Sequence, residues 1–430
     1  MTSPPPVDRD GPPRVRHAFL DGFRGLASVA VLLHHAILES PASGQRRAAA
    51  LLRGAIYHLH YAVAVFIVLS GFCLMLPVVR SGRDRLPGGF LAYLGRRARR
   101  ILPPYYAALI FSWLLIAAVP VLRHPSGVRW DAALPATSAK VVATHLLLIH
   151  NLDLETVLKV DPPMWSVATE WQIYLLMPAL LFLRSRQGIA ATVAAGLGIG
   201  WGLAALATSV GNPALWLLSP WFLGLFAMGM AAAVASESPA GVRRARLWPA
   251  IAWSLLALAA LLVLTARKAI GLDRMVLDPI IGAATALLLW RCAARSARGE
   301  SSAALRLLES RGAAALGSCS YSLYLTHYPL LALAGWSLRA RGVGPGGQLA
   351  ALLLVASPLC ILAAALFARV VERPFLPGHR ASPPRGLRAD AAHPTPASAA
   401  AVAGTGDPRG IGGRTGLAGV RETGRGVGSP

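Results

Sequence analysis

Charge is scarce in this chain. Asp, Glu, Lys and Arg make up 14% of its 430 residues, against roughly a quarter in soluble proteins. Acidic residues are scarcer still, at 19 against 42 Lys+Arg, for a net charge of +23. Lysine is nearly missing, with only Lys140, Lys159 and Lys268. The four cysteines, Cys73, Cys292, Cys319 and Cys360, fall in apolar segments without CxxC spacing. That argues against a disulfide or zinc framework and for small buried hydrophobes, so no metal is expected. No aromatic-basic RNA module accompanies the positive charge, so a nucleic-acid partner is not expected. Internal repeats are also missing, which disfavours transporter folds built from repeated halves.

What is present is apolar surface. Apolar residues make up 55% of the chain and mean hydropathy is +0.53. A soluble globule could not hide so much of it, so the expected solvent is lipid. Stretches of spanning length occur at 18–38, 57–79, 101–122, 165–184, 189–208, 214–235, 248–266, 276–292, 315–337 and 347–371. Each approaches the roughly 20 residues that cross a bilayer core. The stretch 138–151 is shorter and contains Lys140, His145 and His150. If it does not span, 17 arginines lie on or beside one set of loops, as the positive-inside rule asks. The expectation is therefore an all-α, polytopic membrane protein. It has about ten transmembrane helices plus one re-entrant or interfacial helix, and both termini are cytoplasmic. Residues 1–17 read as a disordered N-terminal tail and 18–376 as the membrane domain. Residues 377–430, rich in Pro, Gly and Arg, read as a disordered cytoplasmic tail. The first apolar segment carries Asp21 and Arg24 and no small-residue cleavage site, so a removable signal peptide is not expected.

Inside a membrane, ionisable residues are costly and mark function. The first span runs Leu20-Asp21-Gly22-Phe23-Arg24-Gly25 to His34-His35. Arg24 and His35 are eleven residues apart, close to three helical turns, so they share a face about 16 Å apart. Asp21 is within pairing distance of Arg24. In the fourth span Ser166, Glu170 and Tyr174 form one stripe, with Glu170 fit for a proton relay, a cation anchor or a general base. In the ninth, Ser320, Tyr324 and His327 do the same. Glu372 closes the tenth. Before the third span stands Arg96-Arg97-Ala98-Arg99-Arg100, which serves either as a topology signal or as a phosphate clamp.

Six pieces in chain order resemble acyltransferase family 3, the integral membrane O-acetyltransferases of bacterial surface glycans and macrolides. They are Leu20–Gly25 with His35, Phe66–Phe72, Arg97–Tyr105, Trp165–Pro178, Tyr321–Pro329 and Val371–Phe375. The resemblance implies transfer of an acyl group, commonly acetyl, from acyl-CoA as donor substrate to a hydroxyl. No bound cofactor is implied. The acceptor would be a carbohydrate or glycosylated molecule, and the setting the bacterial inner (plasma) membrane, with the lipid bilayer as partner. Arg24 and His35 would be essential, with Glu170 beside them. Asp21, Ser166, Tyr174, Tyr324, His327 and Glu372 would support the site. Arg97, Arg100 and Tyr105 would hold acyl-CoA. In this scheme His35 removes the acceptor proton, Arg24 stabilises the thioester oxygen, and Glu170 orients a histidine or binds the acceptor. Two departures from the family stand out: Ala62-Val63-Ala64-Val65, where a polar residue is often found, and Trp171 in place of a second acid. With no esterase-like domain after 376, the stand-alone form is expected. The competing reading is a proton-coupled transporter or exporter of envelope material, since buried Asp, His and Glu also build relays. Oligomeric state has no signature in the sequence.

Overall fold

The computed structural model describes residues 17–41, 47–125, 129–211, 218–245 and 274–375, with Trp216, Trp253 and Ala257 besides. The expected span at 248–266 and both expected tails lie essentially outside the described residues. Residues 381–430 are wholly outside them. Among the described residues there is helix and no strand.

The chain opens with α1 (Phe19–Leu38), α2 (Arg47–Tyr57), α3 (Ala62–Arg80) and α4 (Gly89–Ala118). After α5 (Ala139–Leu146) comes the longest run, α6 (Trp165–Ser209), then α7 (Phe222–Glu237) and α8 (Pro239–Arg244). α9 (Arg274–Ala297) precedes two short helices, α10 (Ala303–Leu308) and α11 (Arg311–Ser318). The last are α12 (Ser320–Ala340), α13 (Pro345–Ala351) and α14 (Ser357–Phe367). Two π-helical turns, Leu352–Ala356 and Ala368–Glu372, extend α13 and α14 into one run ending at Phe375.

Among the described residues five runs are long and apolar enough to cross a membrane: Arg47–Arg80, Gly89–Ala118, Pro162–Ser209, Arg274–Ala297 and Pro345–Phe375. α7 is apolar but 16 residues long. α1 and α12, with 20 and 21 residues, have the length to span. They fall outside that set of five, and they are the helices that carry the polar motifs. The structure thus describes a helical membrane protein without fixing ten spans. The pair expected at 165–184 and 189–208 is the two halves of α6, broken at Gly188, where φ is 83°. α5 is 8 residues long, about 12 Å at 1.5 Å per residue, too short to cross a core of about 30 Å. Ser138 starts it, its hydroxyl accepting from the Val141 amide at 3.3 Å. The arginines expected on a loop before the third span lie instead within α4, which begins at Gly89 and continues through Pro103 and Pro104.

Two close helix approaches explain motif glycines. A Cβ on Gly71 would lie 2.0 Å from the Phe226 carbonyl oxygen, where α3 meets α7. A Cβ on Gly317 would lie 2.1 Å from the carbonyl oxygen of Asp21, where α11 meets α1. Small residues let backbones touch where apolar association alone supplies little force in lipid. The last run turns outward Leu354, Val355, Leu359, Leu362, Leu366 and Val370, all exposed. Apolar side chains on that face suit hydrocarbon.

Candidate active site

Two cavities meet in the bundle. The larger, about 270 Å³, is lined by Arg24, Arg97, Arg100, Glu170, Tyr174 and Glu372, with Ser70, Cys73, Tyr321 and Tyr324 among its other walls. α1, α3, α4, α6 and α12 each contribute. Arg24 Nη1 donates to Asp21 Oδ1 at 3.0 Å and Nη2 reaches Cys73 Sγ at 3.0 Å. Glu170 accepts from the hydroxyls of Ser70 and Tyr174. Glu372 accepts from Ser322 Oγ at 2.6 Å. Three guanidiniums face two carboxylates that are already hydrogen-bonded to hydroxyls, so the cavity suits an anionic guest.

The smaller cavity, about 50 Å³, is lined by His34, His35, His60, Arg274, Asp278 and Tyr324, with Val31, Val63, Pro163, Trp165 and Phe222. Its chemistry is set by one hydrogen-bond chain. His327 Nδ1 lies 2.8 Å from the Leu323 carbonyl oxygen, which can only accept. That nitrogen therefore carries the proton of a neutral His327, and its Nε2 is the acceptor. His35 Nδ1 stands 2.8 Å from that Nε2 and so must donate to it. The neutral His35 ring is left with Nε2 as its basic nitrogen. A carbonyl two links away thus fixes the tautomer, as in histidines set for general-base work. The Tyr328 ring packs edge-on against His35, centroids 4.8 Å apart.

Tyr324 and Val63 line both cavities. The Tyr324 hydroxyl is 2.6 Å from Ser166 Oγ and donates toward the Pro163 carbonyl at 3.3 Å. A wider open groove of about 1330 Å³ lies between 81–90 and 178–186. It continues the α6 face of the large cavity, since Tyr174 is one turn from Pro178 and Leu181 and Phe182 follow.

The structure gathers Arg24, Arg97, Arg100, Ser166, Glu170, Tyr174, Tyr324 and Glu372 around one cavity. Asp21 joins through Arg24. His35 lines the other, and His327 reaches it only through its hydrogen bond to His35. Arg24 and His35 share a helix face, yet they serve different cavities. Glu170 has serines and tyrosines for neighbours in its cavity and no histidine lines it. Tyr105 lies elsewhere: fully buried, it donates to the His145 carbonyl at 2.9 Å and anchors α5. Sequence reasoning missed Ser70, His60, Arg274, Asp278 and the role of Cys73. Ser70 sits inside a motif already noticed. Cys73 was grouped with buried hydrophobes, and nothing local announces its contact with Arg24. His60, Arg274 and Asp278 stand in unrelated segments brought together only by folding.

The described bundle is that of a helical membrane protein with a guanidinium-lined cavity beside a histidine whose tautomer a backbone carbonyl fixes. A family model described as "Acyltransferase domain" matches residues 17–369. The chain belongs to this acyltransferase 3 family. One curated relative, the peptidoglycan O-acetyltransferase OatA of Listeria monocytogenes, is 25% identical over 170 residues. That match covers 38% of this chain and 24% of the relative, so the chain spans about a quarter of that protein's length. No solved structure matches.

Proposed function

We propose that this protein is a membrane O-acyltransferase that moves an acyl group, acetyl foremost, from acyl-CoA to a hydroxyl of a carbohydrate or glycosylated acceptor. The observation that carries this reading is the His327–His35 pair, which leaves a basic imidazole nitrogen at a small pocket beside an arginine-lined cavity. The donor's anionic end lies in the larger cavity, its phosphates on Arg97 and Arg100, with the nucleotide resting toward the open groove. Arg24, held by Asp21, binds along the donor's arm. It stands about 16 Å from His35 on α1, eleven residues at 1.5 Å each. The thioester then comes to Tyr324 at the partition.

In direct transfer His35 Nε2 takes the acceptor proton. The oxygen forms a bond to the thioester carbonyl carbon and the C–S bond breaks. The proton passes to the departing CoA sulfur. An acyl-histidine relay uses the same atoms in two steps. The peptidoglycan O-acetyltransferase from Listeria supports an envelope glycan as acceptor, and the proposed setting is a bacterial plasma membrane with both termini cytoplasmic. Residues 18–376 are the proposed catalytic domain. The test is mass spectrometry of envelope glycans from cells carrying the wild type or His35→Ala at equal membrane abundance. An ester present only with the wild type supports the reading. Equal esterification in both overturns it.

A further inference from the structure

The segment Ala62-Val63-Ala64-Val65 departs from the family pattern, and the fold gives one of its residues a specific place. Val63 lines both cavities, and Tyr324 is the one other residue that does so. Tyr324 is held from two sides. Its hydroxyl is tied to Ser166 and Pro163, and its ring meets Phe66 at 5.9 Å. Whatever passes from the arginine-lined cavity to His35 crosses a partition made of a fixed aromatic and a single isopropyl group.

Beyond that partition lies about 50 Å³. A water-sized group needs on the order of 10–15 Å³ on this measure, so the space takes roughly three to five of them. An acetyl group has three heavy atoms, and the attacking acceptor oxygen with its carbon adds two, so acetyl and its acceptor together fill the space. The apolar walls of the space are Val31, Val63, Trp165 and Phe222, and His34, His60, Arg274 and Asp278 complete it, so the limit it sets is one of length.

We propose that Val63, working against the fixed Tyr324 ring, sets acyl-chain length in this enzyme and restricts transfer to two-carbon groups. The inference rests on the acyltransferase reading above. Removing two methyl groups by Val63→Ala opens the partition and the His35 pocket together. A methylene in an apolar pocket changes discrimination by about 10- to 200-fold, so the effect is readable.

The experiment uses cells expressing the full chain and supplied with propionate and butyrate, so that acetyl-, propionyl- and butyryl-CoA are all present. Glycan esters are quantified by mass spectrometry. The wild type is expected to add acetyl. Val63→Ala is expected to raise the ratio of propionyl plus butyryl to acetyl esters at least about tenfold. Val31→Ala, elsewhere in the same lining, guards against a folding defect in the first variant and is expected to shift the ratio the same way. An unchanged ratio in both variants, or long esters already abundant with the wild type, overturns the inference and leaves the enzyme reading intact. Esters that are the same with wild type and His35→Ala overturn the enzyme reading, and the inference with it.

Discussion

The two cavities draw on the same four helices, α1, α3, α6 and α12, and differ in size and in chemistry. Around Arg24 there are about 270 Å³ and three guanidiniums. Around His35 there are about 50 Å³, three imidazoles and apolar walls. The first is built for charge that is already present in a substrate. The second is built for a proton that moves during the reaction. Separating them leaves Arg24, Arg97 and Arg100 to the large cavity, while Arg274 and Asp278 line the cavity of His35. It also divides the consequences of mutation: damage in the large cavity should weaken binding, and damage in the small one should stop chemistry.

The largest expected effect is at His35. His35→Ala should lower kcat about a thousandfold, within the range general-base catalysis supplies, with acyl-CoA binding retained. Radiolabelled acetyl transfer in membrane vesicles measures it. His327→Phe keeps the ring but removes the acceptor that fixes the His35 tautomer. It should lower kcat about a hundredfold and leave KM for acyl-CoA near the wild-type value. Arg97→Ala and Arg100→Ala should each raise that KM about tenfold or more, since a charge-assisted hydrogen bond contributes about 1.5–3 kcal/mol. Their kcat should change little. A fall in kcat alone would dissolve the distinction between the cavities. Smallest is Tyr105→Phe, which removes the hydroxyl that holds α5. It should cost about 1 kcal/mol of stability, seen as a lowered Tm in detergent, with KM for acyl-CoA unchanged.

Much of this was legible in the sequence because a polar residue in an apolar run is conspicuous. Asp21, Arg24 and His35 stand out in α1, and the Ser166, Glu170, Tyr174 stripe fell on one face of α6 as its spacing requires. The motif glycines were visible too, although the carbonyl that each one meets belongs to a distant helix. Pairings across the bundle were not legible. His35 and His327 are joined only by folding, and nothing near either names the other. Tyr105 follows the arginine motif closely, so proximity in sequence suggested the donor site. The helix turns its side chain the other way, toward α5. The arginines themselves were placed on a loop, because the apolar run begins only at 101, whereas α4 starts at Gly89 and runs on through Pro103 and Pro104. The number of spans was harder to read for a related reason. Two of the helices that build the site, α1 and α12, trade apolar residues for polar ones and so lose part of the signal that marks a span.

The most direct test of this division is acetyl-CoA binding to the purified full-length protein, measured by isothermal titration calorimetry alongside transfer activity. His35→Ala is predicted to bind acetyl-CoA with the wild-type Kd while transfer is lost, and Arg97→Ala to bind at least about tenfold more weakly. Loss of binding in His35→Ala, or wild-type binding in Arg97→Ala, would contradict the assignment of donor binding to one cavity and proton transfer to the other.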